Sequence, residues 1–116
     1  MSTILIIDDD ARFRSQAQDL LEADGFIVIG QAVDGASGID AARSLHPDFV
    51  LLDIGLPDLD GFEVARNLAL DDPAALVVLT SSRDARAYGR RLHAVDALGF
   101  IPKDQLSAAA IRALRA

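Results

Sequence analysis

The sequence has no cysteine, few basic residues and no long uninterrupted apolar run. Without cysteine there is no disulfide framework, no thiolate nucleophile and no cysteine-based zinc site. No apolar stretch reaches the roughly 18–20 residues that a helix needs to span a bilayer. The opening residues MSTILIIDDD carry no basic segment before their apolar run, which is unlike a secretory signal. From these absences we expect a cytoplasmic protein that does not enter a membrane.

The charge balance narrows the possible partners. The formal net charge is −7, from 18 acidic and 11 basic residues. This argues against direct nucleic-acid binding, because phosphate backbones select surfaces rich in lysine and arginine. The bases gather late, at 83–91 and at Arg112 and Arg115. Two interpretations stay open: these arginines are solvated helix faces, or they form a basic surface that meets a partner.

Five short apolar runs recur at the spacing of a helix plus its loops. Most are continuous rather than alternating, which is typical of parallel strands buried on both faces. Strict alternation of strand and helix predicts a doubly wound α/β sandwich of (βα)5 type. The length suits one domain over residues 1–116. The predicted strands are Ile4–Ile7, Phe26–Ile29, Phe49–Leu52, Leu76–Leu79 and Leu98–Ile101.

The segments between the runs predict five helices. The first has Asp10 as N-cap, Gly25 past its end and an inward face of Phe13, Ala17, Leu20 and Leu21. The second covers about Ser37–Leu45, and the third starts near Asp60 and stops before Pro73. The fourth, about Asp84–His93, is the least amphipathic, with Tyr88 and Leu92 among three arginines and a central Gly89. The fifth starts near Asp104 and places inward Leu106, Ala110, Ile111 and Leu114.

Polar side chains follow four of the predicted strands, where ligands bind in an open α/β sheet. They are Asp8, Asp9 and Asp10 after strand 1, Asp53 after strand 3, Thr80 and Ser81 after strand 4, and Lys103 after strand 5. Each residue alone has an ordinary structural explanation, such as a helix cap or a turn. Together, at one edge of one sheet, they indicate a site.

The residue types at this edge indicate metal-assisted phosphoryl chemistry. Carboxylates packed closely repel one another, so a cation is needed to keep them ionised. Mg²⁺ fits, because it takes one or two carboxylates plus waters and leaves room for a phosphate. The Lys103 ammonium and the Thr80 hydroxyl would bind the remaining phosphoryl oxygens. One carboxylate could act as the nucleophile and become an aspartyl phosphate.

Over its whole length the chain resembles the receiver domains of two-component response regulators. The resemblance rests on the Asp8-Asp9 pair, Asp53, Thr80 and Lys103, and on the segments DIGLPDLDGFEV and ALGFIPKD. It implies a flavodoxin-like sheet of strand order 2-1-3-4-5. It also implies a domain with no enzymatic activity beyond Mg²⁺-dependent self-phosphorylation and autodephosphorylation.

The resemblance assigns a role to each matched residue. Asp53 would take the phosphoryl group from a sensor histidine kinase, a phosphotransfer protein or a small donor such as acetyl phosphate. Asp9, Asp53 and the Gly55 carbonyl would bind Mg²⁺ directly, and Asp8 through water. Thr80 and Lys103 would bind the phosphoryl oxygens. Thr80 and Phe100 would then form the switch that remodels the surface of helix 4, strand 5 and helix 5, with a phosphorylation-dependent homodimer as one outcome.

Three departures from the family pattern bear on function. Asp104 follows the lysine where many members have proline, and this Lys-Asp pair resembles receivers that precede a LuxR-type helix-turn-helix domain. The switch aromatic is Phe100 rather than tyrosine, so it has no hydroxyl to hydrogen-bond. Gly55 and Ser82 occupy the positions that modulate attack by water on the phosphoryl group. Both are small and uncharged, which predicts a long-lived phosphoryl state.

Other sites and functions fit the sequence less well, and one alternative stays open. A calcium loop at DLDG fails, because its register needs acidic residues where the chain has Leu56 and Asn67. A flavin or nucleotide site would want glycine and hydroxyl residues after strand 1 rather than three aspartates. His46 and His93 look like surface or capping residues, not phosphohistidines. A phosphorylation-independent interaction adaptor with the same fold stays open.

Overall fold

Five parallel strands form a single sheet in the computed structural model, which describes residues 1–115. The sheet order is β2-β1-β3-β4-β5, which confirms the predicted doubly wound, flavodoxin-like topology. Residue 116 of the predicted domain lies outside the described residues. The strands are β1 (Thr3–Ile7), β2 (Ile27–Ala32), β3 (Phe49–Asp53), β4 (Leu76–Ser81) and β5 (Gly99–Pro102). The α-helices are α1 (Ala11–Ala23), α2 (Gly35–Leu45), α3 (Gly61–Asp71) and α4 (Ala108–Ala113).

The central strands contribute to two separate cores. Ile4 and Ile6 face the core that α1 and α4 cover, whereas Leu5 and Ile7 face the core against α3. Each of these four side chains is 0% exposed. Burial on both faces explains why the strands are continuous apolar runs instead of alternating ones.

Aspartates start the first three helices. The side chains of Asp10, Asp34 and Asp60 accept hydrogen bonds from backbone amides in the first turns of α1, α2 and α3. Helix α2 therefore begins at Gly35, two residues before the predicted start, and Ser37 completes its capping box. The prediction that Leu20 faces inward is wrong, since this side chain is 39% exposed on α1.

The predicted fourth helix is wrong. The segment 84–93 instead forms two 3₁₀ turns, Ala85–Ala87 and Gly89–Leu92. Gly89, the first residue of the second turn, has a φ of +56°, a left-handed conformation that an α-helix cannot contain. Only Tyr88 and Leu92 of this segment are half-buried, and its other residues are exposed. The segment thus lacks the apolar stripe that stabilises an amphipathic helix.

The last helix starts later than predicted. A 3₁₀ turn occupies Lys103–Gln105, and α4 begins at Ala108 with the Ser107 side chain accepting from the Ala110 amide. Leu106, which precedes this cap, and Ile111, which follows it by four residues, lie in the same core. This arrangement resembles a hydrophobic staple, in which a serine cap between two apolar residues sets the helix start.

Candidate functional site

Strand register brings the carboxylates together at the carboxyl edge of the sheet. Ile7 of β1 pairs with Leu52 of β3. Asp8 follows β1 directly, and Asp53 is the last residue of β3. Asp53 itself pairs with Thr80 of β4. The sequence-predicted residues of strands 1, 3 and 4 therefore occupy neighbouring positions because the three strands are adjacent in the sheet.

Asp8 is fixed by the loop that it begins. Its carboxylate is 0% exposed, and Oδ1 accepts a hydrogen bond of 2.9 Å from the Asp10 amide. The Arg14 guanidinium donates to the Asp8 carbonyl oxygen at 2.7 Å, which anchors this loop to α1. Asp9, between the two aspartates, is exposed. Arg14 is a supporting residue that the sequence analysis missed, and a lone helical arginine carries no signal for it.

Lys103 lies between the two buried carboxylates. Its Nζ is 2.8 Å from Asp8 Oδ2 and 3.4 Å from Asp53 Oδ2, and it sits 4.5 Å from the centre of the Phe13 ring. Burial lowers the pKa of Lys103, but the two carboxylates outweigh this effect and leave the pKa above its ordinary value. The ammonium therefore stays charged at neutral pH.

Asp8 carries an oxygen without a well-aligned donor. Oδ2 is buried and lies 2.8 Å from the Lys103 ammonium, its only close partner among the described residues, so it is held by opposite charge rather than by a regular hydrogen bond. Burial raises the pKa of Asp8, while Lys103 and the Asp10 amide act in the opposite direction. A buried carboxylate oxygen that lacks a hydrogen-bond donor is available to bind a cation.

The carboxylates are placed to share one cation. One oxygen from each of Asp8, Asp9 and Asp53 lies within 4.8 Å of the other two. An all-oxygen, acidic set of this kind suits Mg²⁺. The fourth predicted ligand, Gly55, is two residues after Asp53 and donates its amide to Asp53 Oδ1 at 3.0 Å. Gly55 is exposed, so its backbone lies at the open side of the site.

Thr80 and Phe100 lie beside the carboxylates but are engaged elsewhere. The Thr80 hydroxyl, fully buried, donates to the Ile101 carbonyl oxygen at 2.7 Å rather than to Asp53. Phe100, on β5, is half-buried and packs against Tyr88 with ring centres 6.1 Å apart. The structure thus brings the predicted metal and phosphoryl residues to one edge, with the Thr80 hydroxyl turned away from the carboxylates. Phe100 pairs with Leu79, one position before Thr80.

The loop after Asp53 is tied to a neighbouring helix by a residue that the sequence analysis missed. The Asp58 carboxylate accepts from the amides of Gly35 and Ala36, at 2.8 and 3.0 Å. These are the first two amides of α2, so Asp58 caps that helix from a distant part of the chain. The bonds from Gly35 and Ala36 lower the pKa of Asp58. No local sequence signal reveals such a cap.

Side chains of the 84–93 segment cover the opposite side of the site. Tyr88 is hydrogen-bonded through its hydroxyl to Ser81, and Arg91 pairs with Asp60. The Arg91 guanidinium also lies 4.3 Å from the centre of the Phe62 ring. Tyr88 is half-buried, unlike the exposed arginines beside it. Among residues 1–115, no helix is long and apolar enough to cross a membrane.

Comparison with known proteins assigns this arrangement to a family. Residues 4–115 match the response regulator receiver domain. The chain therefore belongs to the receiver domain family of two-component response regulators, as its motifs suggested. The family is one in which phosphorylation and Mg²⁺ binding are typical.

Similar proteins include several transcription regulators. The chain is 41% identical to a Pseudomonas aeruginosa protein described as a transcriptional regulator, over 89% of this chain and 50% of that protein. It is also 41% identical to the virulence-factor transcription regulator BvgA of Bordetella pertussis, over 88% and 49%. The chain thus spans about half the length of these relatives.

A solved structure gives a close match in shape. The signal receiver domain of a NarL response regulator from Mycobacterium tuberculosis superimposes with a TM-score of 0.87 and 28% identity, covering 98% of this chain and 96% of that one. A LuxR-family response regulator from an Aurantimonas species matches with a TM-score of 0.87 and 25% identity, over 99% and 83%. The Aurantimonas protein is of the LuxR family, the kind of regulator that the Lys103-Asp104 pair suggested.

Proposed function

We propose that Asp53 accepts a phosphoryl group in a Mg²⁺-dependent reaction, from the phosphohistidine of a sensor kinase or phosphotransfer protein or from acetyl phosphate. One observation carries the proposal. Asp53 lies in a three-carboxylate cluster, with one oxygen of each within 4.8 Å of the others and the Lys103 ammonium 3.4 Å from its Oδ2. A carboxylate nucleophile beside both a cation site and a fixed positive charge is arranged for phosphoryl transfer.

The transfer moves one phosphoryl group between two acceptors. A carboxylate oxygen of Asp53 forms the new bond to phosphorus, while the bond from phosphorus to the donor's imidazole nitrogen or acetate oxygen breaks. Asp9, Asp53 and the Gly55 carbonyl would hold Mg²⁺, with Asp8 joined through water. When bound, the ion neutralises negative charge on the carboxylates and the phosphoryl oxygens.

Lys103 and Thr80 would stabilise the transferred group. Lys103 already faces Asp53, so its ammonium needs little movement to reach a phosphoryl oxygen. Thr80 must first release the Ile101 carbonyl, since its hydroxyl donates there at 2.7 Å. This release makes the hydroxyl a sensor of phosphorylation. Phe100, on the strand that contains Ile101, is placed to follow, so Thr80 and Phe100 form the proposed switch.

The deciding experiment measures the intact mass of the protein after incubation with acetyl phosphate and Mg²⁺. We expect one added phosphoryl group on the wild type and none on Asp53→Asn or after chelation of the metal. Asp58→Asn is a matched control, because Asp58 lies in the same loop without a predicted ligand role. No adduct on the wild type would instead favour a phosphorylation-independent adaptor, and an equal adduct on Asp53→Asn would move the phosphorylation site to another residue.

The proposed phosphoryl group should also be long-lived. Gly55 has no side chain and Ser82 has only a small one, so neither can hold an attacking water with a charged or amide group. We expect Gly55→Asn and Ser82→Gln to shorten the lifetime of phospho-Asp53. The measurement is loss of the adduct mass after removal of acetyl phosphate. Complete dephosphorylation of the wild type within seconds in Mg²⁺ would contradict this expectation.

The output proposed for the whole protein is control of transcription. Its support is the similarity to transcription regulators that are about twice as long as the matched segment. In this proposal the receiver itself binds no nucleic acid and acts through the surface formed by the 84–93 segment, β5 and α4, including a phosphorylation-dependent homodimer. Sedimentation with and without beryllium fluoride would test the dimer, and a monomer in both conditions would exclude it.

A further inference from the structure

Tyr88 occupies a position that links the phosphorylation site to the 84–93 segment. It is the only tyrosine in the chain. Its hydroxyl is hydrogen-bonded to the Ser81 hydroxyl, and Ser81 follows Thr80 directly in β4. Ser81 is 3% exposed and also accepts from the Arg83 amide at 3.1 Å, which shapes the turn that leaves the strand. A change at Thr80 therefore reaches Tyr88 through one neighbouring residue.

The ring of Tyr88 makes a second connection. It packs edge-on against Phe62 of α3, with ring centres 5.8 Å apart, and against Phe100 of β5 at 6.1 Å. Tyr88 thus lies between the helix that follows the Asp53 loop and the strand that carries the proposed switch aromatic. Phe100 has no hydroxyl, whereas Tyr88 places one against the end of β4.

The surrounding segment has few other contacts that hold it in place. Apart from Tyr88 and Leu92, its side chains are exposed. The Arg91–Asp60 pair is also largely exposed, which makes it a weak restraint. A segment with so little buried surface has a low local stability. The loss of a single internal hydrogen bond can therefore shift its position.

We infer that Tyr88 is a positioning residue of the receiver switch. Its hydrogen bond to Ser81 stabilises the resting arrangement, in which Thr80 donates to Ile101 and the 84–93 segment covers the site. When Thr80 turns toward phospho-Asp53, Ser81 moves with it and Tyr88 is released or re-bonded. This inference rests on the proposed function, because it needs Asp53 to accept the phosphoryl group.

The chain offers an optical test, since Tyr88 is its only tyrosine and it has no tryptophan. Intrinsic fluorescence therefore reports on this residue alone. We expect beryllium fluoride with Mg²⁺, a phosphoryl mimic, to change the emission of the wild type but not of Asp53→Asn. Ser81→Ala should show the shifted emission before the mimic is added. Ser44→Ala, an exposed serine on α2, is the matched control and should behave as the wild type.

A kinetic cycle tests the coupling itself. Losing one neutral hydrogen bond from the resting arrangement should raise the phosphorylation rate with acetyl phosphate roughly 2- to 10-fold in Tyr88→Phe, which keeps the ring. Ser81→Ala should give a similar gain. The double variant should match Ser81→Ala, because that substitution already removes the bond to Tyr88 together with the one from the Arg83 amide. Additive gains, or no gain, would overturn the inference.

The two proposals fail in different ways. If intact mass shows phospho-Asp53 while the fluorescence of Tyr88 stays constant, the positioning role is wrong and the proposed function stands. If no adduct forms on the wild type, both are wrong. The role of Tyr88 is established by three results together: the adduct forms, the emission of Tyr88 changes, and the kinetic cycle is non-additive.

Discussion

The two sides of the site are built in different ways. The carboxylate side, formed by the loops after β1 and β3, is held by backbone amides that donate to Asp8, Asp53 and Asp58. The opposite side, formed by the end of β4 and the 84–93 segment, is held mainly by side-chain contacts of Thr80 and Tyr88. Backbone bonds fix a loop as a unit, whereas a side-chain contact is lost by one rotamer change. The difference suits a fixed cation site beside a surface that can rearrange.

Alanine substitutions of two glycines, one on each side of the site, test this difference in construction most directly. A Cβ at Gly61 would lie 2.5 Å from Ile54 Cα, a backbone atom that cannot turn aside. Gly61→Ala should therefore lower the free energy of unfolding by about 2–3 kcal/mol. Gly89→Ala has open space but a φ of +56°, and should cost only about 1 kcal/mol. Urea unfolding measures both. An equal or larger loss in Gly89→Ala would mean that the 84–93 segment is the more constrained side.

Asp58 tests the carboxylate side through pH. Its folded pKa is lowered by the amides of Gly35 and Ala36 below the value of about 3.9 expected for an unfolded chain. The stabilisation is therefore fully present above the unfolded pKa and is lost as the pH falls through the folded pKa. Asp58→Asn should be less stable than the wild type at neutral pH.

The stability gap between Asp58→Asn and the wild type should narrow as the solution is acidified below about pH 4. The measurement is the unfolding free energy of both proteins over a pH series at constant salt. Asp104→Asn is a control, since Asp104 is an exposed aspartate outside this loop. A gap that stays constant from neutral to acidic pH would show that Asp58 does not act through its charge.

The Arg91–Asp60 pair should have the smallest effect. Its side chains are 56% and 43% exposed, so solvent screens the charges. We expect a coupling energy below about 1 kcal/mol in a cycle of Arg91→Met and Asp60→Asn, falling as salt is added. Asparagine retains an oxygen to cap α3. Arg90→Met, an exposed neighbour, controls for loss of charge alone. A larger coupling energy that does not change with salt would show that this pair holds the 84–93 segment in place.

Strong local patterns explain what could be predicted from the sequence. Continuous apolar runs mark the strands because a doubly wound sheet buries both of their faces. Asp10 and Asp60 mark helix starts because their carboxylates satisfy free amides within the next three residues. The predicted site residues share one edge because parallel strands align their carboxyl ends.

The predictions failed where local signals were weak or ambiguous. The 84–93 segment was assigned as a helix on spacing alone, although Gly89 and its arginines offered little support. Leu106 was read as part of the last helix, but it packs in the core just ahead of the Ser107 cap. Apolar residues on either side of a cap follow the same spacing as residues inside a helix, so periodicity cannot separate the two.

The sequence by itself determined the fold, the family and the identity of the residues at the strand ends, because each depends on residue types at short and regular spacing. The tertiary structure decided how those residues are held. Lys103 lies between Asp8 and Asp53, Asp58 caps a helix 22 residues before it in the chain, and Tyr88 reaches back to Ser81. Contacts of this kind join separate elements, and only the packing of those elements brings the partners within reach.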